Sequence, residues 1–148
     1  MTIVLREFEG ADDVATRTIY EASFPASLRA PWSSLVDHRD DELLLVLADD
    51  ERILGLALVR RLGSTDMAFV RYLAVDPARR SEGLGAILVS ALRDRLRTDG
   101  VGVLLLDVEE PMGAHAEDDR RRIAFYERCG LSLLDVPGYA PPEHGETG

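Results

Sequence analysis

Apolar and polar positions follow one another along this chain in a pattern that predicts a run of strands interrupted by helices. Residues 3 to 8, IVLREF, read as a first strand, and Ala11 to Ala22 then places Val14, Ile19 and Tyr20 at helical spacing. Phe24 to His38 carries two prolines that break regularity, which predicts a short helical turn, an extended link and a second short helix flanking a pocket. Leu43 to Ala48 and Ile53 to Arg60 are apolar stretches around the polar turn Asp49-Asp50-Glu51, the signature of a hairpin. Gly63 to Asp66 supplies the next turn and Met67 to Val75 the next strand, so this part of the sheet is expected to be antiparallel.

The period then changes. Gly83 to about Thr98 carries Leu84, Ile87, Leu88, Ala91, Leu92 and Leu96 as an apolar helical stripe, ended by Asp99-Gly100. Val101 to Val108, VGVLLLDV, reads as a strand buried on both faces. A strand, helix, strand crossover makes this strand parallel to Met67–Val75. Residues 109 to 119 read as a polar loop, Asp119 to Arg128 as a helix stopped by Gly130, and Leu131 to Val136 as a short strand. The stretch from Pro137 onward is too rich in proline and glycine for a regular element, and an irregular tail is expected. The fold class is therefore α/β (α+β), a mixed and mostly antiparallel sheet with a central parallel pair, in one domain over residues 1–148.

The junction YLAVDPARRSEGLG, Tyr72 to Gly85, joins an apolar strand to a helix through a glycine-spaced turn. Unpaired backbone N–H groups and the positive end of the helix dipole meet there, and Gly83 and Gly85 allow a bulky anion to approach the main chain. With Arg79 and Arg80 alongside, the site points to a phosphate-bearing ligand. The chain has 148 residues and a net charge of −10, which argues against general attraction to nucleic acid or anionic membranes. Its seventeen basic residues are all arginine, so a Walker motif, which needs lysine, is excluded. Cys129 is the only cysteine, which leaves no internal disulfide or cysteine metal cluster and predicts a small buried hydrophobe. Arg6 and Glu7 interrupt what would be a signal peptide, and no apolar run approaches bilayer length, so a cytoplasmic protein is expected.

Two separate motifs carry a resemblance to a known family. Val75-Asp76-Pro77-Ala78-Arg79-Arg80-Ser81-Glu82-Gly83-Leu84-Gly85 resembles V-x-P-x-x-R-x-x-G-x-G, and Ile123-Ala124-Phe125-Tyr126-Glu127-Arg128-Cys129-Gly130-Leu131 resembles an aromatic helix closed by glycine. Together with the order of elements they are similar to the GNAT superfamily of acetyl-CoA-dependent N-acetyltransferases, over most of the chain. The resemblance implies acetyl-CoA as acetyl donor. Arg80, Ser81, Glu82, Gly83, Leu84, Gly85 and Ala86 would wrap its pyrophosphate, and Leu73, Ala74 and Val75 would offer main-chain groups to the pantetheine arm where two central strands splay apart. It also implies direct attack of an amine on the thioester, with Tyr126 as the acid that protonates the leaving thiolate.

A general base is less defined by sequence. Glu109 and Glu110 follow the strand Val101–Val108, and Glu109 is the favoured candidate, with His38 and His115 as alternatives. Arg120-Arg121-Arg122 reads as a charged helix face beside Glu117, Asp118 and Asp119 rather than a site. Trp32 and Phe24 either line an acceptor pocket or pin their segment to the core. A carboxylate at Glu82 beside a pyrophosphate is unfavourable unless it points to solvent. The expected partner is a primary amine of a small molecule or peptide, with no nucleic acid or membrane partner. A homodimer is an option if the short C-terminus leaves a sheet edge open. The competing function is a GNAT-fold module that binds acyl-CoA as a sensor without turnover; a third reading keeps the fold but uses another acyl group or an alcohol acceptor.

Overall fold

A computed structural model describes residues 2–79, 82–107 and 116–132. Among these residues, five strands, β1 (Val4–Glu7), β2 (Glu42–Ala48), β3 (Ile53–Arg61), β4 (Met67–Val75) and β5 (Val103–Leu106), form one sheet in chain order. The first four are antiparallel, and β5 runs parallel to β4. Four α-helices among the described residues accompany them: α1 (Asp13–Ser23), α2 (Trp32–Val36), α3 (Leu84–Thr98) and α4 (Ala116–Arg128).

Strand alternation divides the core between the two faces of the sheet. On one face Leu44, Val46, Leu56, Leu58 and Tyr72 pack with Ile19 and Tyr20 of α1 and Leu35 of α2. On the other, Leu45, Ala57, Val59, Ala68 and Val70 pack with Leu92 and Leu96 of α3, while Leu47 and Leu54 meet Leu84 and Leu88. The two central strands β2 and β3 are thus covered on both sides, and the helices lie on opposite faces of β4.

Several expectations change. Val14 is exposed, and α1 buries Thr16, Ile19 and Tyr20 instead. Among its described residues, the stretch Val101–Val108 contributes Val103–Leu106 to the sheet. Leu104 and Leu106 pack toward the α3 side, whereas Val103 is exposed, so this strand is not covered on both faces among the described residues. Helix α4 begins at Ala116 rather than Asp119, because Glu117, Asp118 and Asp119 form its first turn, where the helix dipole favours carboxylates. Leu131 does not open a strand; its N–H closes the end of α4 on the Tyr126 carbonyl at 3.0 Å. The remainder of the expected strand and the tail lie outside the described residues.

Candidate functional site

The site is organised by an irregularity in β4. Leu58 pairs with Tyr72 and the next residue, Val59, pairs with Val70, so Arg71 is an extra residue without a register partner on β3. Such a bulge bends a strand and increases its twist. Among the described residues, the last pair with β5 falls at the same place, Val70↔Leu106. Beyond it Leu73, Ala74 and Val75 meet no strand on that side among the described residues, which leaves main-chain groups open along the stretch expected to receive a pantetheine arm.

Arg71 does not point into that opening. Its Nη1 donates to Glu42 Oε2 at 2.7 Å, and the Glu42 side chain is 1% exposed. The same carboxylate accepts from the Arg39 N–H at 3.2 Å. This pair fixes the bulged residue to the start of β2 across β3. Sequence reading missed it, because neither residue belongs to a motif.

After Val75 the chain turns tightly. The Asp76 N–H donates to the Leu54 carbonyl at 2.8 Å, and the Asp76 side chain accepts from the Ala78 N–H at 3.0 Å. Gly83 then adopts φ +76°, a left-handed conformation that favours glycine, with open space where a Cβ would stand. Among the described residues no side chain caps the first turn of α3, whose leading amides have no carbonyl partner within the helix. Arg80 and Ser81 lie outside the described residues. Glu82 is ion-paired with Arg79 at 3.0 Å, so the guanidinium expected beside a phosphate is engaged by its own neighbour. That pairing holds the Arg79 pKa above its ordinary value.

The two sequence motifs meet directly. A methyl placed on Gly85 would stand 2.9 Å from the tip of the Phe125 ring, so the second glycine is where α4 seats on the first turn of α3. At the other end, Arg93 of α3 donates to the Cys129 carbonyl, and Gly130 adopts φ +91° as α4 stops. Tyr126, beside Phe125 with ring centroids 5.4 Å apart, is half-buried. Burial raises its phenol above the ordinary tyrosine pKa, against a smaller opposing effect of Arg122. A phenol so placed stays protonated at neutral pH and can donate. Cys129 is partly exposed rather than buried. Glu109, Glu110 and His115 lie outside the described residues, and His38 is exposed with Nδ1 3.0 Å from the Arg39 carbonyl. Arg121 pairs with Glu117 at 2.8 Å, as a charged helix face should.

The α1–α2 side faces β4 through an aromatic group. Trp32 donates from Nε1 to Asp13 at 2.8 Å and packs edge-on to Phe8, while Phe24 packs on Tyr20 and Tyr72. Both Trp32 and Phe24 are therefore held to the core cluster. Outside them lies a cavity of about 690 Å³ lined by Tyr20, Glu21, Arg29, Ala30, Trp32 and Asp37, among others.

Residues 14–131 match the family model for the acetyltransferase (GNAT) family. The chain belongs to the GNAT acetyltransferase family. It is 31% identical over 119 residues to the [ribosomal protein bS18]-alanine N-acetyltransferase of Salmonella typhimurium, an alignment covering 78% of this chain and 74% of the relative. Among solved structures, a GNAT-family protein from Bacteroides thetaiotaomicron, described as a putative acetyltransferase, superposes with a TM-score of 0.78 at 21% identity, covering 97% of this chain and 80% of that one. The ribosomal-protein-S18-alanine N-acetyltransferase of Escherichia coli gives 0.68 at 22% identity, covering 90% and 80%. At these identities the structural likenesses establish the GNAT fold, and the family match makes the chain an acyltransferase of the N-acetyltransferase type. GNAT enzymes generally use acetyl-CoA. No helix among the described residues is long and apolar enough to cross a membrane.

Proposed function

We propose that this GNAT protein is a single-domain, cytoplasmic enzyme that moves the acetyl group of acetyl-CoA to a primary amine of a small molecule or peptide by direct attack. The observation that carries this reading is the coincidence of three features in one stretch. Among the described residues, the last β4–β5 pair is at Val70, the bulge falls at Arg71, and a helix start without a side-chain cap follows at Gly83. Leu73, Ala74 and Val75 would receive the pantetheine arm on their open side, and Arg80 to Ala86 would hold the pyrophosphate on backbone amides. Open space at Gly83 suits that fit.

Acetyl-CoA supplies the thioester carbonyl. The acceptor nitrogen must arrive neutral and in line, and its attack forms the amide bond as the carbon–sulfur bond breaks. Tyr126 donates its proton to the departing thiolate, a role suited to a phenol kept neutral by burial. Glu109 is the proposed acceptor of the ammonium proton. The relative named for acetylating an alanine of ribosomal protein bS18 favours a peptide amine among the acceptors. We place the acceptor on the α1–α2 side of β4, beside the 690 Å³ cavity.

The alternative, a sensor that binds acyl-CoA without turnover, is favoured by one observation: Glu82 competes for Arg79 where the phosphates would sit. The test is a thermal melt with and without acetyl-CoA, followed by thiol release against a panel of amines and N-terminal peptides. A raised Tm with thiol release supports the enzyme. A raised Tm without release from any acceptor supports the sensor, and no shift at saturating acetyl-CoA refutes both.

A further inference from the structure

The segment Pro25 to Pro31 crosses over β4 without belonging to the sheet, and two tyrosine hydroxyls hold it there. The Tyr72 hydroxyl donates to the Leu28 carbonyl at 3.0 Å and accepts from the Ala30 N–H at 2.9 Å. The Tyr20 hydroxyl donates to the Ala30 carbonyl at 2.8 Å. Both backbone polar groups of Ala30 are thus satisfied by phenols. Leu28 and Ala30 are separated by one residue, Arg29, whose φ of −93° and ψ of 127° are extended. An extended stretch presents such a carbonyl and amide on one side, where a neighbouring strand would ordinarily bond them. Here a single side-chain oxygen replaces the strand.

The location of that oxygen matters. Tyr72 follows the bulged Arg71 and precedes Leu73, the first of the three residues proposed to receive the donor. Its ring is fixed by edge contacts with Tyr20 and Phe24, at 5.0 and 5.1 Å between centroids, and Tyr72 is 5% exposed. On its far side Ala30 lines the cavity proposed for the acceptor. Burial, followed by the neighbouring Tyr72 phenol, drives the Tyr20 pKa far above its ordinary value, so that phenol stays a neutral donor.

We propose that the Tyr72 hydroxyl is a positioning residue for acetyl transfer, joining the acceptor-side wall at Leu28–Ala30 to the donor strand at Leu73–Val75 so that the two substrates are held in one frame. The inference rests on the proposed acetyltransferase reaction and on its placement of the acceptor. Loss of the hydroxyl leaves the ring, and hence most of the packing, but frees the Leu28 carbonyl and the Ala30 amide. The wall then loosens relative to β4 while the donor strand stays in the sheet through β3. The penalty should fall on acceptor binding and alignment and leave donor binding alone.

The experiment compares wild type with Tyr72→Phe, measuring KM for both substrates by thiol release and amide hydrogen exchange at Ala30 by NMR. The expected result is an acceptor KM raised roughly tenfold, an acetyl-CoA KM unchanged within a factor of about two, and faster exchange at Ala30. A purely structural role would lower Tm and the active fraction without separating the two KM values. Should Tyr72→Phe not fold, Ala30→Pro removes the same amide donor and keeps both phenols, and it is expected to give the same split. Arg29, at φ −93° and ψ 127°, already has the extended backbone that a residue before proline needs. An unchanged acceptor KM in an active variant overturns the proposal, as does a rise confined to acetyl-CoA. If wild type turns over no acceptor, the proposed reaction fails and this inference fails with it, even where Ala30 exchange accelerates.

Discussion

Replacing Arg71 by alanine tests whether the bulge in β4 is held by its ion pair. Among the described residues, the Glu42 carboxylate, with 1% of its side chain exposed, would keep the Arg39 N–H at 3.2 Å as its hydrogen-bond partner. Removing one partner of a buried pair costs about 3–5 kcal/mol, because the remaining charge stays desolvated and unpaired. The Arg71 side chain is 27% exposed, and the water that reaches it lowers the expected loss to about 2–4 kcal/mol. For a chain of this size that corresponds to a fall in Tm of roughly 5–15 °C. The assay is urea unfolding followed by far-UV circular dichroism, with the slope checked so that a change in midpoint can be read as stability. The double variant Glu42→Leu/Arg71→Met removes both charges together. Apolar residues of similar volume remove the stranded charge, and the double variant should recover most of the loss. A single-variant loss below about 0.5 kcal/mol, or a double variant no more stable than Arg71→Ala, would refute the reasoning.

Tyr126→Phe should lower turnover by about 10²–10⁴-fold, as loss of a general acid does, with acetyl-CoA affinity preserved in calorimetry. Because burial raises the Tyr126 pKa, the wild-type enzyme should keep its protonated phenol as pH rises through the ordinary tyrosine range; a turnover decline that tracks Tyr126 ionisation below pH about 10 would contradict this. Glu82→Gln frees Arg79 from its 3.0 Å partner and removes a like charge near the proposed pyrophosphate, so the acetyl-CoA KM should fall, most at low salt; an unchanged or higher KM means that Glu82 does not compete. Asp12 has a lowered pKa, first through its hydrogen bonds from Arg6 and then through the Glu9 N–H. Its stabilisation is present above about pH 4, the unfolded value, and is lost as pH falls through the depressed folded value. The acid limb of stability in Arg6→Ala should be flatter in that window, and identical limbs would remove the pair from acid unfolding.

What could be read from sequence depended on the range of the interaction. The hairpin β2–β3 and the delivery of β4 into the glycine turn are local, and period and turn residues specify them. The meeting of Gly85 with Phe125 was half visible, since both motifs could be named but not the contact that a hydrogen at Cα makes possible. The polarity of AEDD resembles that of a loop and hides the true start of α4, yet three acids in a row are also what a helix N-terminus favours. The run VGVLLLDV could not reveal its covering, which depends on neighbours and not on its own composition. Least legible were Arg71 with Glu42 and Tyr72 with Leu28 and Ala30. A tyrosine in an alternating strand reads as packing, and nothing local says that its hydroxyl bonds a backbone 44 positions earlier. The proposed catalytic base and the two residues before Glu82 fall outside the described residues.

Gly55 of β3 lies opposite Val75, and a Cβ there would come within 2.7 Å of the Ala74 carbonyl oxygen. Only a residue without a Cβ fits there, so the end of β4 already lies closer to β3 than any other residue at position 55 would allow. If a longer acyl chain than acetyl is ever to be carried beside Leu73–Val75, the space must be gained on the β5 side. On the proposed donor placement, chain length is then a property to be engineered in β5, and libraries built on β3 are expected to change stability before they change the acyl group transferred.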